Sequence, residues 1–288
     1  MDTPVKKLKS KFSLPELGLG TWRMGGQDEA DKASDAAEIA AIRSAIEAGV
    51  THIDTAESYG AGHTEELVGK AIRGMDRKKL FITSKVSEEN HTCEGIPASC
   101  KKSLKRLGTD YIDLYLLHTF SAMCPLQEAV QALDALVDDG FVKYIGVSNF
   151  GMKHLAEAQK LSKHPIVCDQ VHYNLQVREV EKTGLLKYCQ TNDVMLVAYR
   201  PVQQGKLLEG VPEIVEEMCV KYQKTPAQIA INWLISQRNV VAIVKTSNVA
   251  HLKENAGAVG WNLTESDVER LRENYPGQMT VSDLIPLG

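Results

Sequence analysis

Eight short strand-like runs alternate with helix-like stretches along this chain, and that alternation leaves few folds open. The strand candidates cover residues 17–21, 51–56, 80–86, 111–118, 144–149, 167–173, 194–199 and 240–245. Amphipathic stretches lie between them at 36–48, 65–73, 97–107, 126–139 and 151–161. Asp113-Leu114-Tyr115-Leu116-Leu117 is nearly continuous in apolar residues, as a parallel strand is when both of its faces are covered. Helix signals agree with this alternation. Gly108 after Leu107 and Gly140 after Asp139 read as left-handed helix ends. Thr225-Pro226-Ala227-Gln228 reads as an N-cap, a first-turn proline and a capping-box glutamine. Eight such units in 288 residues predict a (β/α)8 TIM barrel. A doubly wound sheet would announce itself with Gly-x-Gly-x-x-Gly, but Gly18-Leu19-Gly20 runs into Thr21-Trp22-Arg23. Residues 264–275 read as an extra C-terminal helix. No linker or charge block divides the chain, so residues 1–288 are read as a single barrel domain.

Composition narrows the partners. A net charge of −4 gives no global field to draw nucleic acid or an anionic membrane. The one dense basic run, at residues 6–11, reads as a solvated edge. No apolar run reaches membrane-spanning length, and no apolar segment follows the first lysines as in a secretory signal. The six cysteines form no Cys-x-x-Cys and no zinc-finger spacing with histidine, so a reduced, cytoplasmic setting is expected. No His/Asp/Glu cluster has ligand spacing, and no metal is expected.

Four residues stand at or just past the ends of successive strand runs: Asp54, Tyr59, Lys85 and His118. In a parallel β/α fold the C-terminal strand ends share one mouth, so these side chains would meet there. A phenol titrates near ~10, and a neighbouring ammonium pulls that value down. A carboxylate beside the lysine keeps it charged despite burial. An imidazole can hydrogen-bond a carbonyl oxygen. Together they can deliver a proton to a carbonyl.

These segments, from Gly18-Leu19-Gly20-Thr21-Trp22 to Glu254-Asn255, resemble the aldo-keto reductase family. The resemblance implies that Tyr59 is the general acid in reduction and the base in oxidation. It implies that Lys85 lowers the Tyr59 pKa, that Asp54 pairs with Lys85 and that His118 orients the substrate. In the family a hairpin closes the barrel bottom, which places one at residues 6–17.

The same resemblance implies NADP(H) as cofactor, with NAD(H) as the alternative. Ser148, Asn149 and Gln170 match the positions that hold the nicotinamide carboxamide, and Tyr199 the aromatic that stacks on the ring. Thr21 and Trp22 fall beside the cofactor, with Trp22 also lining the substrate pocket. Arg200 opens a loop, residues 200–207, expected over the pyrophosphate. Lys245, Thr246 and Ser247 match the 2′-phosphate positions, and Glu254 and Asn255 the adenine positions. His251 stands where the family commonly has arginine. It is mostly neutral at pH 7 and lacks the planar guanidinium fork.

A small-molecule carbonyl is the expected partner: an aldehyde, an α-dicarbonyl or a small ketone. Glu89-Asn90-His91 is expected to form a pocket wall. Thr119 and a short tail after Trp261 predict a roomy, wet site. The protein is expected to be a monomer or weak oligomer. Two other readings stay open. One is a non-catalytic, nucleotide-binding regulatory member of the fold. The other is an isomerase or lyase with Lys85 as a Schiff-base nucleophile.

Overall fold

The computed structural model describes residues 3–122 and 124–287. It begins with an antiparallel hairpin, β1 (Val5–Lys7) and β2 (Ser13–Pro15), with Lys6 opposite Leu14. Eight strands follow: β3 (Leu17–Gly20), β4 (His52–Asp54), β5 (Phe81–Val86), β6 (Ile112–Leu117), β7 (Val142–Ser148), β8 (Ile166–His172), β9 (Met195–Tyr199) and β10 (Val240–Lys245). They pair in chain order, all parallel, and β10 closes onto β3. The predicted (β/α)8 barrel is therefore the observed fold. Strand boundaries fall within one or two residues of the sequence reading.

The outer layer carries α1 (Asp35–Glu47), α2 (His63–Ile72), α3 (Gly95–Leu107), α4 (Leu126–Asp138), α5 (Met152–Leu161), the short α6 (Glu179–Lys182) and α7 (Leu185–Thr191), α8 (Glu213–Tyr222), α9 (Pro226–Ile235), α10 (Val249–Ala256) and α11 (Glu265–Asn274). The capping box before α9 forms with both of its bonds. Gly108 ends α3 in the left-handed conformation, φ 65°. None of the described helices is long and apolar enough to cross a membrane.

Two cores hold the layers together. The larger lies between strands and helices and is built on residues such as Trp233, Tyr115 and Ile42. The smaller fills the barrel itself, where Leu114, Leu116, Cys168, Met195, Val197 and Val241 meet. The hairpin plugs this interior with Leu8, Phe12 and Leu14. Phe12 packs edge-on to Phe81 at 6.1 Å and to Tyr144 at 5.0 Å. Gly146 lies where the neighbouring strands leave no room. A Cβ there would stand 2.8 Å from both Cys168 Sγ and Leu116 Cδ2. The β7–β8 register shifts at this point, between Ile145 and Val147, and a shift of this kind re-aims the residues that follow it. Those residues are Ser148 and Asn149.

The extra C-terminal helix is fixed by polar contacts as well as packing. Trp233 Nε1 donates to the Val268 carbonyl at 3.0 Å. Asp267 is buried and accepts from Lys221 Nζ at 2.7 Å, Thr264 Oγ1 at 2.7 Å and the Tyr222 hydroxyl. Burial pushes its carboxyl up, but these hydrogen bonds outweigh it and bring the pKa to about 2. A lowered carboxyl stabilises the fold above its unfolded pKa, and that stability is lost as pH falls towards 2. Lys221 is half-exposed, so screening reduces the contribution to about 1 kcal/mol. Asp267→Asn should melt below wild type at pH 7, and the gap in melting temperature should close as pH is lowered from ~4 to 2.

Candidate active site

Three strand ends and one tight turn carry Asp54, Lys85, His118 and Tyr59. Asp54 closes β4 and Lys85 lies one residue before the end of β5. His118 follows β6 directly. Tyr59 opens a 3-10 turn, Tyr59–Gly62, that bends back through left-handed Gly60 and Ala61. A Cβ on Gly60 would come within 2.6 Å of the Gly25 carbonyl, so the close approach of these two loops needs glycine.

The Lys85 ammonium is fully buried and uses all three of its donors. It gives one to Asp54 Oδ1 at 2.6 Å, one to the Thr55 carbonyl at 2.8 Å and one to the Tyr59 hydroxyl at 3.4 Å. The second Asp54 oxygen accepts from Gln170 Nε2 at 2.7 Å. Because the Tyr59 oxygen accepts from Lys85, its own proton is left to face the cavity. Burial alone would lower the Lys85 pKa, but Asp54 and Tyr59 together more than offset it and the net shift is upward. A Schiff-base nucleophile must lose its proton, and this lysine is held as a cation, which argues against that chemistry.

Burial is the largest influence on Tyr59 and raises its hydroxyl above the ordinary phenol range. Lys85 acts in the opposite sense but does not overcome it. The expected net lowering is therefore not what the resting site has. Tyr59 is instead a protonated phenol at neutral pH. His118 packs against it, with ring centroids 5.7 Å apart at 70°. Burial first, then Lys85 and His91, push the His118 imidazole down to about 3. Its ring is thus neutral at pH 7 and carries one N–H to donate.

A cavity of about 870 Å³ opens above these groups and runs from Asp54, Tyr59 and His118 to α10. Along it come Trp22, Ser148, Asn149, Gln170, Tyr199 and Arg200, then Lys245, Thr246, His251, Glu254 and Asn255. Three expected site residues do not line it. Lys85 lies behind its wall. Thr21 is buried, and its N–H and hydroxyl both serve the Asp54 carbonyl, at 3.0 and 2.9 Å. Ser247 is exposed outside the cavity. Ser148 and Asn149 are not helix caps, because Gly151 is the N-cap of α5. Asn149 Nδ2 donates to the His118 carbonyl at 3.1 Å and to Ser148 Oγ at 3.0 Å, and its Oδ1 accepts from the Tyr199 hydroxyl at 2.9 Å. Ser148 Oγ in turn donates to the Gln170 carbonyl at 2.8 Å. What this group retains for a ligand is acceptor capacity on Asn149 Oδ1 and Gln170 Oε1, and the second N–H of Gln170 Nε2.

Beside the expected Arg200 the structure brings in Arg23, which the sequence reading passed over. Arg23 and Arg200 both have left-handed backbone, φ 65° and 54°, and place their guanidiniums 4.3 and 4.9 Å from the Trp22 ring centroid. Neither forms an ion pair among the described residues. Leu284 and Ile285 of the tail line the cavity, so the tail narrows a site that was expected to be roomier. The expected wall at Glu89-Asn90-His91 is not on the cavity. Asn90 is tied to Glu57 Oε1 at 3.0 Å, and the buried His91 ring to the Val86 carbonyl at 3.1 Å. The available signal for the tail was the apolar pair Leu284-Ile285. Among the described residues no group of three His, Cys, Asp or Glu could hold a metal.

The neutrality of His118 is directly measurable. Its ring carbon and nitrogen NMR shifts should stay those of neutral imidazole as pH falls from 7 to ~4, while an exposed histidine titrates near ~6.5. A His118 midpoint above 6 would contradict the burial argument.

Comparison with known proteins places this geometry. The family model for the Aldo/keto reductase family matches residues 16–276. Methylglyoxal reductase YeaE of Escherichia coli K12 is 37% identical over 280 residues, covering 96% of this chain and 96% of that protein. Glyoxal reductase of Bacillus subtilis is 33% identical over 276 residues, covering 94% of each. Among solved structures, the thermostable aldo-keto reductase Tm1743, crystallised with the inhibitor epalrestat, superposes with a TM-score of 0.91 at 44% identity, over 94% of this chain and 99% of that one. A Klebsiella pneumoniae aldo/keto reductase in complex with NADP and acetate gives 0.85 at 33% identity, over 99% and 100%. With a barrel closed in the same way and similarity over nearly its whole length, this chain belongs to the aldo/keto reductase family.

Proposed function

We propose that this chain is an NADPH-dependent carbonyl reductase in which Tyr59 gives its proton to the oxygen of an aldehyde, α-dicarbonyl or small ketone. The observation that carries the reading is the Tyr59 hydroxyl. Its oxygen is held by Lys85 at 3.4 Å, and its proton faces the cavity beside a neutral His118. A raised resting pKa keeps that proton in place until a carbonyl oxygen becomes basic enough to take it. Once it leaves, the phenolate forms beside the Lys85 ammonium, which stabilises the new charge. The His118 N–H donates to the same oxygen and fixes its position. Asp54 keeps Lys85 charged and in place throughout.

Bound NADPH supplies the hydride. The residues present fit that cofactor. Two unpaired guanidiniums, Arg23 and Arg200, offer positive charge for its pyrophosphate beside Trp22. Asn149 Oδ1 and Gln170 Oε1 can accept the two N–H bonds of a carboxamide. Tyr199, held by Asn149, presents its ring to the same part of the cavity. Lys245, Thr246 and His251 lie at the start of α10, where a helix N-terminus and a lysine favour a phosphate. The Klebsiella relative's complex with NADP supports this assignment. The names of the Escherichia coli and Bacillus relatives, reductases of methylglyoxal and glyoxal, support small α-dicarbonyls as substrates.

Tyr59→Phe should lower kcat by roughly 10²–10⁴-fold while leaving the NADPH dissociation constant within about twofold. Reduced-nicotinamide absorbance and fluorescence titration measure the two quantities, and full turnover in the variant would remove Tyr59 as the acid. His251→Arg should tighten NADPH roughly threefold to fivefold, the scale of an exposed ion pair, and leave NADH unchanged. Equal effects on both cofactors would move the 2′-phosphate away from α10.

A further inference from the structure

One imidazole outside the tetrad joins three separate parts of the cavity wall. His172 ends β8, is buried, and has no part in the proton chemistry described above. Its ring stacks on Tyr199, with centroids 5.3 Å apart and planes 11° from parallel. Its Nε2 lies 2.7 Å from Gln203 Oε1, in the Gln203–Leu208 turn that follows Arg200. Its Nδ1 lies 2.9 Å from Ser282 Oγ, in the C-terminal tail.

The network assigns the protons. Gln203 Nε2 points at Asp283 Oδ2 at 3.4 Å, while its Oε1 accepts from Asn174 Nδ2 at 3.0 Å. Gln203 Oε1 is thus an acceptor, and the His172 proton sits on Nε2. Nδ1 then accepts from the Ser282 hydroxyl. Burial, above all, holds this ring below its ordinary pKa, with Asp283 opposing and Arg200 assisting, so the neutral tautomer is the resting one.

Both segments that His172 touches need such a tie. The turn is strained: Arg200, Gln203 and Gln204 are non-glycine residues with φ of 54°, 48° and 58°. Conformations of this kind persist only when their surroundings hold them. Among the described residues the tail has no helix or strand after α11; an isolated bridge between Met279 and Val177 pins its start, and Glu179 ties the rest, accepting from the Ser282 N–H at 2.8 Å and the Leu287 N–H at 3.0 Å. This clasp sets Leu284 and Ile285 on the cavity.

We infer that His172 is a positioning residue that latches the Arg200–Gln204 turn to the C-terminal tail, so that the dinucleotide leaves only when tail and turn open together. The inference rests on the proposed NADPH site, because the turn and Tyr199 are given to the cofactor there. It adds that the tail, through Ser282, controls cofactor residence and not only the shape of the substrate pocket.

The test is stopped-flow release of NADPH, followed by nicotinamide fluorescence, from wild type, Ser282→Ala, Ser282→Thr, His172→Leu and the His172→Leu/Ser282→Ala double variant. Ser282→Ala should release about fivefold to tenfold faster, the scale of one lost buried hydrogen bond. Ser282→Thr, which keeps the hydroxyl, should restore the wild-type rate. The double variant should release more slowly than the product of the two single effects requires, since both changes remove the shared His172–Ser282 bond while Ser282→Ala also frees the Leu284 N–H. In the ligand-free protein, amide exchange across residues 200–208 should also quicken in Ser282→Ala. A merely structural His172 would lower the melting temperature and leave the release rate unchanged, and that result overturns the latch. If His172→Leu does not fold, the two Ser282 variants decide the matter. A wild type that binds no dinucleotide would remove the proposed function and the latch with it. Tight wild-type binding with unaltered release from Ser282→Ala removes the latch alone.

Discussion

The buried Lys85–Asp54 pair is the constraint on which the site depends. Taking both charges out of water is costly, and only close geometry with further hydrogen bonds offsets the penalty. The barrel supplies that geometry through strand register. Asp54 lies opposite Thr83 on the neighbouring strand, and Lys85 is two residues further along. With a side-chain period of two, Thr83 and Lys85 point to the same face, inward, so the ammonium arrives beside the carboxylate. A slip of one residue would turn Lys85 out towards the helices and leave Asp54 buried without a partner. The correct register is therefore required by electrostatics as well as by apolar packing.

From that pair the rest of the site can be followed outward. Gln170 reaches the free Asp54 oxygen from the far side of the barrel. Its own backbone carbonyl anchors Ser148, which anchors Asn149, which holds both the His118 carbonyl and the Tyr199 hydroxyl. Tyr59 and the cavity's aromatic wall thus share one hydrogen-bonded chain that crosses the barrel mouth. Every link starts from a strand end, which is why the arrangement is stiff. A cofactor that enters this mouth meets groups already oriented by one another.

How much of this could be read from the sequence follows from the range of each interaction. The barrel was legible because strand and helix periodicities are local, and because eight parallel units have few ways to close. The meeting of Asp54, Tyr59, Lys85 and His118 was legible because three of them stand at strand ends that share one mouth and Tyr59 lies only five residues past Asp54. The net acidity of Tyr59 was not, since burial, which outweighs the lysine, is a property of the packed fold. Thr21 looked available but is consumed by the Asp54 carbonyl. Asn149 looked like an open amide but has both of its donors committed. The tail was the least legible part. Its position is fixed by Glu179, 103 and 108 residues away in sequence from the two amides it accepts, and no local pattern reports such a contact.

Anchoring Tyr59 through Lys85 on a strand, and the closure on a strained turn and a tail, separates two demands that conflict. Proton transfer needs a hydroxyl held closely in place, and Lys85 on its packed strand holds the one on Tyr59. Cofactor exchange needs a wall that opens, and left-handed turns held by a few polar contacts sit at the low-stability end of a structure. The resting protonation of the site also sets a direction. On the proposed mechanism, a protonated Tyr59 beside a neutral His118 is ready to reduce a carbonyl at neutral pH. Alcohol oxidation would need the phenolate as base, and burial keeps that form scarce. Raising the pH increases the phenolate fraction and removes the proton that reduction requires. The same buried phenol therefore gives the two directions opposite pH dependences, with Lys85 limiting how far apart they lie.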